Sequence, residues 1–301
     1  MIATANGRGA LFMSIAIAAF TCNDALVKSV TAALSPAQIL FVRGLMISAM
    51  VLLITWRMGA FVPLRRLAQP AALVRMVAEI LASLAYISAL GSMPLANTVS
   101  ILQALPLAVT LGAALFLGET VGWRRWLAIF TGFIGVLIVL RPGPEGFSAA
   151  AIYVIASVVL TAIRDLSTRR ISPDVPSLAI STVTAISNTL VGAALIVPMG
   201  GWQPVEAVTF GKLAAASVLL LVGYQTIVMA MRTGEISFIA PFRYTALVWA
   251  IGIGILFFGE FPDLWMSVGV AIIVASGLYT FYRENRRRAR ALAQESRPQS
   301  P

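Results

Sequence analysis

Six charged side chains fall inside long apolar stretches of the chain: Asp24, Arg43, Glu79, Arg164, Asp165 and Arg243. A charge in such a stretch is costly to desolvate unless it is paired or faces water, so each is a candidate for handling a solute or an ion. The set mixes both signs, which suits a zwitterionic or polar organic solute better than a hydrocarbon. Asn23, Tyr86, Asn97, Gln103, Asn188, Tyr224, Gln225 and Tyr244 are neutral polar candidates in the same stretches. Glu79 is the most isolated acid, a candidate proton carrier or seat for a cationic substrate group. Its structural alternative is a helical pair with Arg75, one turn before it. Tyr86 follows Glu79 by two turns on a similar face. At about 1.5 Å of rise per residue, Asp24 and Arg43 share a depth near one membrane face, and Asp165 and Arg243 share one near the other. The expectation is an outer pair, Asp24–Arg43, and an inner pair, Asp165–Arg243, that open alternately. Static bridges between helices are the other reading.

The elements holding these charges are membrane helices. Of 301 residues, 59% are hydrophobic and 11% charged, too little charge for a water-facing surface. The apolar blocks approach the ~20 residues a bilayer-spanning helix needs, and no in/out alternation of a barrel is present. Ten spans are expected, at 9–31, 36–56, 72–91, 95–117, 124–141, 148–168, 176–197, 209–230, 236–258 and 264–282. Turn residues separate them, among them Ser35-Pro36, Pro142-Gly143-Pro144 and Pro173 to Pro176. Pro106 beside Gln103, and Pro241 beside Tyr244, loosen the backbone of the fourth and ninth spans next to polar side chains.

The net charge of +10 is distributed as topology, not as a nucleic-acid surface. Ten spans put both termini on one side. That side then holds Arg8, Arg57, Arg65, Arg66, Arg75, Arg124, Arg125, Arg169, Arg170, Arg232 and the tail arginines Arg283, Arg286, Arg287, Arg288, Arg290 and Arg297; the other holds Lys28, Arg141 and Lys212. The excess marks the cytoplasmic side. Residues 283–301 form a basic tail.

A gap-free shift of 141 residues lays Asp24 on Asp165, Lys28 on Arg169, and Met58-Gly59-Ala60-Phe61-Val62-Pro63 on Met199-Gly200-Gly201-Trp202-Gln203-Pro204. The same shift lays Leu115-Phe116-Leu117-Gly118-Glu119 on Leu256-Phe257-Phe258-Gly259-Glu260. Two halves follow, 9–141 and 148–282. Five spans in each half invert the second relative to the first, the architecture by which secondary transporters alternate access to one midplane site.

Gly118-Glu119, Gly259-Glu260, the opening Asn23-Asp24-Ala25-Leu26-Val27-Lys28 and the closing Phe242-Arg243-Tyr244 with Gly259-Glu260-Phe261-Pro262-Asp263 resemble the EamA-type family of the drug/metabolite transporter superfamily, over residues 9–284. The resemblance implies a ten-helix secondary transporter of the bacterial inner membrane. Its central cavity would be lined by the first, third, fourth, sixth, eighth and ninth helices. Relatives move amino acids, purines, riboflavin, S-adenosylmethionine and other metabolites in either direction, so substrate does not carry over. The Gly-Glu elements are expected to cap the fourth and ninth helices.

Without histidine and with the single Cys22, metal hydrolases, serine–histidine proteases, haem proteins and intrachain disulfides are excluded. An intramembrane aspartic protease would need a Gly-x-Gly-Asp element, which neither Asp24 nor Asp165 has, and a primary pump a phosphate-binding loop. The expected function is secondary active transport of an amino acid or amino-acid-like metabolite, with a vitamin or nucleoside-like compound as second choice. A non-transporting receptor or accessory subunit is the rival class. The expected binding or gating residues are Asn23, Asp24, Arg43, Glu79, Tyr86, Gln103, Asp165, Arg243 and Tyr244. The expected partners are the bilayer, a small-molecule substrate and protons as coupling ion; no metal or cofactor is expected, and the protein is expected to be a monomer.

Overall fold

The computed structural model describes residues 2–119, 121–143, 147–172, 174–233 and 235–295; Pro144, Pro173 and Arg297, used above as turn and tail residues, lie outside them. Among the described residues, ten helices are long and apolar enough to cross a membrane. They are α1 (Ala5–Val30), α2 (Pro36–Arg57), α3 (Pro70–Ser92), α4 (Leu95–Phe116), α5 (Trp123–Leu140), α6 (Ala149–Thr168), α7 (Ser177–Leu195), α8 (Ala207–Thr233), α9 (Ala240–Phe258) and α10 (Leu264–Arg283). The expected spans match these to within four residues at either end. Beyond α10 the helix continues to Glu295, so the basic segment begins as helix and not as irregular tail. Ten crossings place both termini at one end of the bundle, called here the terminal end; the opposite end is the distal end.

Helix starts follow local chemistry. Ser35 Oγ accepts the Gln38 N–H at 3.3 Å ahead of Pro36, and Ser148 Oγ accepts the Ala151 N–H at 3.2 Å, each satisfying a donor the first helical turn leaves open. Asp263 caps α10 by accepting the Met266 N–H at 2.8 Å, and it also meets Arg141. These bonds, the backbone one first, hold its carboxyl below the usual range. Helices α4 and α9 end on Gly118 (φ +68) and Gly259 (φ +66), a left-handed conformation that glycine adopts without steric cost. The following N–H groups turn back onto the helices, Glu119 to Ala113 and Glu260 to Gly254.

Both of these helices are discontinuous. Pro106 has no N–H and would crowd the Leu102 carbonyl, so α4 breaks after Leu102 and resumes at Leu105. Pro241 opens α9 as a tight 3₁₀ turn, Ala240–Tyr244, before the α-helix at Thr245. The two breaks meet: Gln103 Nε2 donates to the Arg243 carbonyl at 3.1 Å.

Packing joins the halves. Helix α1 packs on α8, α2 on α7, α3 on α6, α4 on α9 and α5 on α10. Exchanging α1–α5 for α6–α10 returns the same set of pairs, and Ser48 and Thr189, 141 residues apart, touch each other through their hydroxyls at 3.0 Å. Small residues permit the close approach. A Cβ on Gly192 would lie 2.7 Å from the Phe41 nitrogen and 3.1 Å from the Ala37 carbonyl, both backbone atoms that cannot swing aside. Gly192→Val is therefore expected to force α7 off α2 and to destabilise the protein by about 2 kcal/mol. Gly211→Ala, where a Cβ meets nothing within 4 Å, should be near neutral. Thermal unfolding of the detergent-solubilised variants measures the difference.

Candidate functional site

Helices α1, α2, α3, α6 and α8 bring a column of charged and phenolic groups together between the halves. Towards the distal end, Asp24 on α1 accepts the Tyr86 hydroxyl at 2.7 Å and the Asn23 amide at 2.9 Å. Towards the terminal end, Arg164 on α6 reaches Glu79 on α3 at 2.9 Å and its own neighbour Asp165 at 2.8 Å. Arg75 donates to Thr168 Oγ1 at 3.0 Å and Thr184 Oγ1 at 2.9 Å, tying α3 to α6 and α7.

Between these groups sits Arg43 on α2. Its electrostatic neighbours are Asp24, Tyr224, Tyr86 and Glu79, and among the described residues nothing hydrogen-bonds to its guanidinium. Tyr224 on α8 stands among the same charges. Phe20 packs edge-on against the Tyr224 ring, with centroids 5.3 Å apart. The Asn23 Oδ1 is buried with no hydrogen-bond partner among the described residues, an acceptor that a bound donor could satisfy.

The two gating pairs drawn from depth alone need correction. Asp24 lies within electrostatic reach of Arg43, but its hydrogen bonds come from Tyr86 and Asn23. Asp165 pairs with Arg164, its neighbour on the same helix, and not with Arg243. Arg243 is exposed in the 3₁₀ turn of α9, where its carbonyl serves Gln103. Glu79 is held by Arg164 across the half boundary instead of by Arg75. Tyr244 leaves the column: its hydroxyl lies against Gly277 of α10, where a Cβ would collide with it. The structure thus gathers Asn23, Asp24, Arg43, Glu79, Tyr86 and Asp165, joins to them Arg164 and Tyr224 from the wider set of polar residues inside the spans, together with Arg75, and places Gln103 and Arg243 at the meeting of the helix breaks. Arg75 was legible in sequence only as a helical neighbour of Glu79; its true partners, Thr168 and Thr184, are about a hundred residues away.

The Gly-Glu elements do more than end helices. Glu260 pairs with Lys28 at 3.1 Å and Glu119 with Arg169 at 3.1 Å, contacts that no local spacing announced.

Comparison with known proteins gives consistent results. Residues 7–141 match the EamA-like transporter family. The chain is 28% identical to a riboflavin transporter of Rhizobium johnstonii over 71% of each protein. It is 29% identical to the pseudopaline exporter CntI of Pseudomonas aeruginosa, over 89% of this chain and 94% of the exporter. With an S-adenosylmethionine uptake transporter of Rickettsia felis it shares 25% identity over 65% of this chain and 66% of the latter. A crystal structure superposes with a TM-score of 0.63 at 17% identity, covering 93% of this chain and 98% of that one, a likeness of fold.

Proposed function

We propose, from the match of residues 7–141 to the EamA-like transporter family, that the chain is a transporter of that kind and carries a small organic metabolite bearing both a carboxylate and an ammonium group, an amino acid or a close relative. Its relatives are membrane transporters and not enzymes. The observation that carries the substrate reading is Arg43: a guanidinium inside a span, among acidic and phenolic groups, with no hydrogen-bond partner among the described residues. Such a group is costly to keep without an anion to receive it, and its planar fork suits a carboxylate. Asp24 lies within electrostatic reach of it, and with the Asn23 Oδ1 acceptor it offers a seat for an ammonium group. Glu79 and Asp165 are already engaged by Arg164, which leaves Asp24 as the acid for the substrate.

The two halves are read as inverted repeats that expose this site alternately at the two ends, with both termini cytoplasmic because the arginines concentrate at the terminal end. A second reading, a flat-ringed metabolite of vitamin or nucleoside type, is favoured by the Tyr86 and Tyr224 rings beside the site and by the riboflavin transporter among the relatives.

Thermal shift of the purified protein against amino acids, vitamins and nucleosides separates the readings. A ligand at about a hundred times its Kd adds about 2.7 kcal/mol to the folded state, a readable rise in Tm. Amino-acid stabilisation that is lost on blocking either the carboxylate or the amine supports the first reading. Stabilisation by riboflavin or nucleosides alone, insensitive to Arg43→Ala, would overturn it.

A further inference from the structure

The shift of 141 residues that lays Lys28 on Arg169 also lays Glu119 on Glu260. Lys28–Glu260 and Arg169–Glu119 are therefore the same ion pair written twice, once at each end of the bundle, with the roles of the halves exchanged. Each pair crosses the half boundary. Lys28 closes α1 and Glu260 follows α9 at the distal end, whereas Arg169 follows α6 and Glu119 follows α4 at the terminal end.

Their surroundings differ sharply. The distal pair is withdrawn from solvent, with side chains 12% and 19% exposed. Lys28 Nζ also donates to the Leu90 and Met93 carbonyls at the end of α3, and it lies 5.5 Å from the Phe258 ring centroid. Glu260 Oε2 accepts the Leu95 N–H at the start of α4 at 2.7 Å. One ion pair so ties together α1, the α3–α4 corner and the end of α9. The terminal pair is 53% and 47% exposed, and among the described residues neither side chain has another partner. Identical chemistry, related by the repeat, is locked at one end and slack at the other.

We propose that the two pairs form one alternating latch, and that this structure shows it with the distal end shut. The repeat specifies the opposite state. Met231 is the mate of Leu90 and Ile236 the mate of Leu95, so in that state Arg169 takes the Met231 carbonyl, Glu119 takes the Ile236 N–H, and Lys28–Glu260 opens. The latch rests on the alternating-access part of the function proposed above and not on its substrate.

The test uses the full chain in right-side-out and inside-out membrane vesicles, with Tyr224→Cys as sole cysteine in a Cys22→Ser background and a membrane-impermeant maleimide applied from each side. Glu260→Gln should raise labelling from the distal side about tenfold, and Glu119→Gln, which weakens the opposite lock, should lower it about as much. Exchanging the charges in Arg169→Glu/Glu119→Arg should recover parental labelling where Arg169→Glu alone does not. Distal labelling within about twofold of the parent for both glutamine variants, in protein that elutes as a single folded species, would overturn the latch. So would failure of the exchanged pair to recover. Labelling needs no substrate, so a failure here leaves the amino-acid reading standing, and a failed ligand screen leaves the latch standing.

Discussion

Arg43→Ala is expected to give a folded protein, monodisperse in detergent, whose substrate flux in proteoliposomes falls about a hundredfold or more. A charge-assisted bond to a carboxylate is worth about 1.5–3 kcal/mol, and about 3 kcal/mol corresponds to a little over a hundredfold in affinity. Folding should survive because the alanine strands no hydrogen-bond partner, although Asp24 loses the guanidinium within its electrostatic reach. No hydrogen bond within the described protein depends on this guanidinium, and Asp24 keeps its bonds from Tyr86 and Asn23. Arg43→Lys retains the charge but loses the bidentate fork, so it should recover only part of the flux. Asp24→Asn is the complementary test, keeping the shape of the site while removing the anion. Transport at the parental rate in folded Arg43→Ala would remove the carboxylate seat and the substrate class with it.

The ten spans were legible because hydropathy in blocks has one physical solution in a bilayer, a helix that satisfies its own backbone. The breaks in α4 and α9 were legible because Pro106 and Pro241 act locally. What failed was pairing. Depth along a helix says which groups are level, as with Asp165 and Arg243, but not which way each faces. Rotation decided that Arg164 would turn to both Glu79 and Asp165. The charges at the Gly-Glu ends were hidden for a related reason. Gly118 and Gly259 fully account for the capping, so nothing local demanded a further role for Glu119 and Glu260. The shift of 141 residues placed Lys28 on Arg169 and Glu119 on Glu260, yet which of the four would touch depended on how the halves dock.

Removal of Arg164 should fail in the opposite manner to removal of Arg43. Arg164 is the only bridge the structure gives Glu79 and Asp165 to a cation within 4 Å among the described residues. Arg164→Ala leaves two carboxylates at the α3–α6 contact without a counter-ion. Breaking a buried pair by deleting one partner typically costs about 3–5 kcal/mol. The side chains here keep some exposure, 24% for Arg164 and 19% for Glu79, which favours the lower end, about 3 kcal/mol. The expected result is a large drop in Tm and in the yield of folded protein, before any effect on flux can be read. Arg164→Ala/Glu79→Gln should recover about half of that loss, since the stranded charge is most of the penalty and Asp165 remains. Glu79→Gln alone should be milder than Arg164→Ala, because Arg164 retains Asp165. If Arg164→Ala instead folds normally and only slows transport, the Arg164–Glu79–Asp165 cluster is part of the substrate path and not the brace that holds α3 against α6. Arg43 would then share its role, and the division of the column into an Arg164 brace and an Arg43 binding seat would have to be abandoned.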